Sequence, residues 1–283
     1  MKYAFPIPAV LMRGLRALFL ASLFIPNAAA AADRDQIETF LEVTGFDVAL
    51  DSIALSAGSA PDMLGLEPGE FGAAWARLSH QVFDTDVMHE LALQILVETL
   101  DEEALAHASA FYASALGQRL VAAENSAHMI EEDDVVQAAG RRIISDLVRD
   151  GAERLALLKR MAAAIDSSGT GVKAVQQIQL RFLMAARDAG VIELELSVEG
   201  LQALMKEQEA DLRLALLASS LAGSAYIYQA FSDQDMSDYV VALEQPLMQT
   251  VYELLNAVQY EITANRFELL ASRLSELTAG QDI

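Results

Sequence analysis

The chain has 283 residues, 53% of them hydrophobic and only six of them proline, which suffices for a substantial buried core and excludes a disordered polymer. Its formal charge of −22 repels nucleic acid and anionic lipid, so neither is an expected partner. Cysteine is absent, which removes disulfides, thiolate metal sites, cysteine nucleophiles and the lipid-attachment residue of a bacterial lipoprotein.

Residues 1–32 have the order of a cleavable secretory signal peptide: Lys2, Arg13 and Arg16 without any acid, the apolar run 17–25, Pro26, and the alanine-rich tract 28–32. The apolar run falls well short of the roughly 20 residues a spanning helix needs. The expected product is a periplasmic protein that begins near Ala32 or Asp33 and keeps no stable membrane anchor. Loss of the three cations deepens its charge to −25, which favours solubility or attraction of cations and basic partners.

From there on, apolar residues recur at three- and four-residue spacing, as in Val82, Val87, Leu91 and Ile95, and later Leu247, Val251, Leu254, Val258 and Ile262. The pattern predicts helix almost throughout. Breaks fall at Gly45, at the stretch 58–69 with Pro61 and Pro68, at Gly151, at the Ser/Gly loop 167–171, at Gly190, Gly200 and Pro246. Capping boxes place helix starts just after Thr99 and Ser232. Residues 191–196 (VIELEL) alternate like a strand, but no second alternating segment exists to pair with them, so an extended connector is expected.

Shifting the chain by 131 residues without a gap sets the capped turn 100–105 on 231–236, Leu116 on Leu247, Gln118 on Gln249, Leu120 on Val251 and Gly69 on Gly200. The fold expected is all-α, an antiparallel helical bundle of two related halves, 33–165 and 166–283, joined at the Ser/Gly loop.

Residues 38–50 (ETFLEVTGFDVAL) and 100–120 (LDEEALAHASAFYASALGQRL) resemble the bacterial periplasmic family known as domain of unknown function 2059 (DUF2059). The resemblance is clearest over residues 37–125. Members show an "LLELTG" helix and, later, an acidic helix start followed by "FY-S-P-x-G". Phe111, Tyr112, Ser114 and Gly117 match the second motif, whereas Ala115 stands in place of the usual proline. The second half reverses this: Pro246 is present, but Ala242, Leu243 and Met248 replace the aromatic pair and the glycine. What the resemblance implies is an exported helical protein, and it brings no catalytic residues. The Phe-Tyr motif reads as a joint, with two aromatics buried where one helix ends and a glycine that lets the next pack closely.

Motifs for chemistry are not found. His89-Glu90 lacks the second histidine of a zincin, since position 93 is leucine. All four histidines, His80, His89, His107 and His128, fall in the first half, so a site built with Asp84, Asp86 or Glu90 is the metal-binding or metal-dependent hydrolase alternative. No Gly-x-Ser-x-Gly elbow occurs, and the 167–171 loop lacks the Gly-Lys-Ser/Thr of a phosphate loop. The acidic run 131–134 suits a helix N-terminus and lacks the pattern of a calcium loop. Trp75, with Phe71, Leu78 and Val82 on one helical face, reads as core or as a pocket wall. The leading expectation is a non-enzymatic binding or interaction module, without a cofactor, for an envelope protein or an apolar small molecule. Self-association through the last helix, with the stripe Leu270, Leu274 and Leu277 meeting another chain, is a further expectation.

Overall fold

The computed structural model describes residues 33–64, 72–274 and 276; residues 1–32, expected to form the signal peptide, and Pro68, Phe71 and Leu277 lie outside the described residues. Among the described residues every regular element is helical, as the periodicity predicts. In chain order these are α1 (Arg34–Thr44), α2 (Phe46–Ser52), a 3₁₀ segment (Ile53–Ser59), α3 (Ala60–Met63), α4 (Gly72–Val82), α5 (Thr85–Thr99), α6 (Glu102–Tyr112) and α7 (Ala115–His128). The rest of the chain forms α8 (Asp133–Asp150), α9 (Arg154–Ile165), α10 (Gly171–Asp188), α11 (Val198–Glu207), α12 (Glu209–Ile227), α13 (Asp233–Leu243) and α14 (Pro246–Arg273).

Local chemistry explains the breaks. Gly45 ends α1 with φ of 71°, a left-handed conformation that glycine adopts without a Cβ penalty. Ser232 caps α13 in a reciprocal box with Asp235, as its sequence indicates. The expected start after Thr99 is displaced. Thr99 instead closes α5, its hydroxyl donating to the Ile95 carbonyl at 2.7 Å, and Asp101 caps α6 by accepting from the Ala104 amide at 2.8 Å. An aspartate two residues on offers the stronger acceptor, so it takes the capping role. Pro246 opens α14 in its first turn, where no amide hydrogen is needed. Residues 191–196 form an irregular connector.

Buried side chains from Ile37 to Leu274 form one hydrophobic cluster that draws on both 33–165 and 166–283. On α5 the buried face is Met88, Ala92, Leu93 and Leu96, shifted by one residue from Val87, Leu91 and Ile95; Val87 is 43% exposed. The break between α4 and α5 resets the helical phase after Val82, which stays fully buried. Trp75 is partly buried against the core, with Leu78 and Val82 buried beside it.

The antiparallel expectation fails for α10 and α14, which run parallel. Gly171 lies near Tyr260 at one end, and Phe182 meets Phe267 at a centroid distance of 5.3 Å towards the other. Between them Arg181 reaches both Glu261 and Glu268. Three intervening helices, α11 to α13, carry the chain back to the starting end, so the connection is a crossover rather than a hairpin. Gly140 of α8 packs so tightly on α12 that a Cβ there would stand 1.9 Å from the Ala222 carbonyl oxygen.

Candidate functional site

Tyr112 is the last residue of α6, and the two-residue turn that follows aims α7 back along the core. Ser114 caps α7 by accepting from the Gly117 amide at 3.1 Å. A Cβ on Gly117 would stand 2.3 Å from the Phe111 carbonyl oxygen, so only glycine permits this approach. The turn fixes the direction of α7, which then delivers Glu124. Tyr228 follows the end of α12, Tyr239 sits on α13 and Tyr252 on α14. Arg154 of α9 secures the α12–α13 turn by donating to the Tyr228 and Phe231 carbonyls and to Asp233.

These five side chains join in one hydrogen-bonded cluster. Tyr228 and Tyr239 donate their hydroxyl protons to the same Glu124 oxygen, Oε1, at 2.6 and 3.0 Å. Tyr239 contacts the hydroxyls of Tyr252 and Tyr112 at 3.0 and 3.3 Å, and Tyr112 and Tyr252 share a very short bond. Ring packing holds the hydroxyls in place: Phe111 stacks on Tyr239 with an interplanar angle of 7°, and Tyr228 meets Tyr239 edge to face.

The cluster borders a cavity of about 250 Å³. Its apolar wall comes from Phe46, Ala49, Ile165, Ile227 and Leu255, and its polar wall from the cluster together with Asn125, His128, Asn256 and Gln259. The mixture of an apolar enclosure with a few convergent polar groups is that of a small-molecule site. Positions 124, 125 and 128 of α7 and 255, 256 and 259 of α14 all line it, each pair 131 residues apart.

Burial governs the electrostatics. It pushes the Glu124 pKa up, against the pull of the hydrogen bonds from Tyr228 and Tyr239. Burial also raises all four tyrosine pKa values, and the nearby Glu124 charge adds to the effect. His128 is lowered by desolvation, which favours its neutral form. The tyrosines are therefore hydroxyl donors at neutral pH rather than bases.

The sequence-derived motif residues meet this site at one point. Phe111 and Tyr112 lie within it, Ser114 and Gly117 shape the turn beside it, and Pro246 starts the helix that carries Tyr252. The histidines do not assemble. His80 is exposed on α4, and His89 pairs with Asp51 at 2.9 Å and contacts the Asp47 carbonyl oxygen. His107 lies on α6, and His128 alone reaches the cavity. Among the described residues no three His, Asp or Glu side chains are grouped to hold a metal ion, so the arrangement imagined with Asp84, Asp86 or Glu90 does not form. Glu124, Tyr228, Tyr239 and Tyr252 carry no motif. The available signal was the 131-residue offset, which sets Glu124, Asn125 and His128 on Leu255, Asn256 and Gln259.

The segment that supplies Tyr112 and Glu124 has a counterpart among known families. Residues 86–146 match DUF2059, described as "Uncharacterized protein conserved in bacteria". The DUF2059 match runs from α5 into α8 and includes the Phe-Tyr turn, Asn125 and His128. Residues 38–50, expected to belong to the resemblance, precede it, and so does the whole of α1. No second segment is matched in 166–283, where a weaker copy of the resemblance was expected. No curated protein and no solved structure matches the chain.

Proposed function

We propose that this protein is an exported, non-catalytic receptor for a small molecule with an apolar body and one polar group. The cavity carries the proposal, because residues of both halves of the chain line it and it combines an apolar wall with a pre-arranged polar cluster. The ring contacts hold that cluster before any ligand arrives, which lowers the ordering cost of binding. Raised tyrosine pKa values and a carboxylate already engaged by two hydroxyls suit hydrogen bonding better than proton abstraction.

Export rests on the charged, apolar and small-residue order of positions 1–32. Cleavage after Ala32 would leave intact the first described cap, in which Asp33 and Gln36 form a reciprocal box at the start of α1. No helix among the described residues is long and apolar enough to cross a membrane. Two related halves are supported by helix bounds: α6 and α13 start and end 131 residues apart, as do the starts of α7 and α14. The cavity then lies between equivalent faces of α7 and α14.

Native mass spectrometry of protein recovered from periplasmic extract tests the receptor reading. The expected result is an N-terminus within a few residues of Asp33 and a small-molecule adduct that disappears in Ala49→Phe, which fills the apolar wall. A retained N-terminal segment would defeat export. Adduct-free protein that also ignores all added probes would defeat the receptor.

A further inference from the structure

Taking the receptor reading as its basis, we propose that the cavity selects a small organic cation, with an ammonium group set against Glu124 and an apolar body against Phe46, Ala49, Ile227 and Leu255. The proton count of the cluster leads there. With Glu124 ionised, Tyr228 and Tyr239 each donate to Oε1. Tyr112 and Tyr252 can then pass their protons around the triangle, one to the other and the other to Tyr239, in either order. Every hydroxyl proton has an acceptor, and every donor of the cluster is spent. Among the described residues no protein donor reaches the second carboxylate oxygen, Oε2.

Among the described residues the carboxylate also has no cationic partner. No lysine or arginine is among the described residues lining the cavity, and Arg154, which donates to the Tyr228 carbonyl, is committed to the α12–α13 turn. His128, the one titratable nitrogen among the described residues of the wall, is held towards its neutral form by desolvation. A half-buried carboxylate with two hydrogen bonds and no counter-charge is poorly solvated, and a donor that brings positive charge removes that cost. Anionic ligands meet like charge at Glu124 inside a protein of net charge −22. A bare divalent cation takes about six oxygen ligands and favours several carboxylates, whereas this wall offers a single carboxylate, Glu124, among neutral hydroxyls and side-chain amides. An ammonium group needs only Oε2 and one or two further oxygens, and the side-chain amides of Asn125 and Gln259 line the same cavity. The apolar remainder of the ligand is accommodated by the rest of the enclosure, whose volume of about 250 Å³ suits a molecule of one six-membered ring.

Calorimetric titration with cyclohexylamine, cyclohexanol and cyclohexanecarboxylate at neutral pH separates the alternatives on the full-length exported protein. The amine should bind about tenfold or more tightly than the alcohol, and the carboxylate more weakly than both. Glu124→Gln should remove the advantage of the amine while changing alcohol affinity by no more than about threefold. Tyr228→Phe, which keeps the carboxylate, should retain the preference for the amine and serves if the glutamine variant does not fold. Equal or tighter binding of the alcohol or the carboxylate by the unmodified protein overturns the cation assignment but leaves a receptor. Unchanged amine binding in folded Glu124→Gln also overturns it. Absence of binding by all three probes overturns the receptor reading itself.

Discussion

Glu124 is an ionisable side chain in a place where its charged form is poorly solvated, and this makes it a reporter of the cavity. Because burial raises its folded-state pKa above the ordinary carboxylate value of 4.5, the folded protein binds a proton more tightly than the unfolded chain. The associated stability is present below the unfolded value and is lost as pH rises from about 4.5 through the raised folded value. Glu124→Gln mimics the protonated carboxyl, still accepts from Tyr228 and Tyr239, and does not titrate. Its stability relative to the parent protein should therefore increase as pH rises through that window, with the difference small at the acid end. Urea unfolding of both proteins across the range measures it, and a difference that shrinks with rising pH would refute the burial argument. The groups facing Glu124 from α12, α13, α6 and α14 are the four tyrosine hydroxyls, which keep their protons in this range. Nothing in the local sequence around Glu124 marks it: VAAENSAH is an ordinary helical segment, and the residue acquires its meaning from three tyrosines more than 100 positions away. Tyr112 was legible as part of a motif, but its hydroxyl partners lie on α13 and α14, a long-range relation that spacing cannot express.

At the scale of elements, the α6–α7 turn shows how a backbone constraint positions a site. Ser114 and Gly117 are separated by one helical turn, the serine capping the amide of the glycine while the missing side chain admits the Phe111 carbonyl. Gly117→Ala would force a Cβ into backbone atoms that cannot rotate away, so we expect destabilisation of about 1–3 kcal/mol in a chemical melt. Amine binding should weaken as well, since displacement of α7 moves Glu124. Ala115→Pro is a useful contrast, because proline at the first position of a helix sacrifices no hydrogen bond and its fixed φ suits the helix start. It should leave stability unchanged or raise it by up to about 1 kcal/mol. Helix identity and most breaks were legible because periodicity and capping are local. The spacing of Val87, Leu91 and Ile95 marked the helix but not its buried face, which is offset by one residue because the two-residue break after Val82 does not preserve helical phase. Parallel packing of α10 against α14 could not be read locally either, because it depends on where three intervening helices bring the chain.

For the molecule as a whole, α14 is the element that ties the fold together, and this changes the expectation for its C-terminal end. Tyr252 meets Tyr112 of α6 near its start, and further along Phe267 packs edge to face on both Phe83 and Phe182, at 5.5 and 5.3 Å. Arg266 is buried and donates to the Val82 carbonyl, while Arg273 reaches Gln81 at 3.1 Å. Leu270 and Leu274, expected to be available to another chain, have no exposed surface and belong to the common core. Leu277, the third member of that stripe, lies outside the described residues. Self-association through Leu270 and Leu274 would require pulling them out of their own core, which opposes an intermolecular role for this part of the helix. Truncating a buried leucine to alanine costs about 2–5 kcal/mol, a large share of the roughly 5–15 kcal/mol that stabilises a typical domain. Leu270→Ala should thus lower stability by that amount, and deletion of residues 268–283, which removes Leu270, Ala271 and Leu274 together, should abolish cooperative thermal unfolding. Circular dichroism melts of the two variants provide the check. A truncated protein that retained a sharp transition near the parental midpoint while losing only a self-association peak in sizing experiments would show that the end of α14 serves assembly instead of the core.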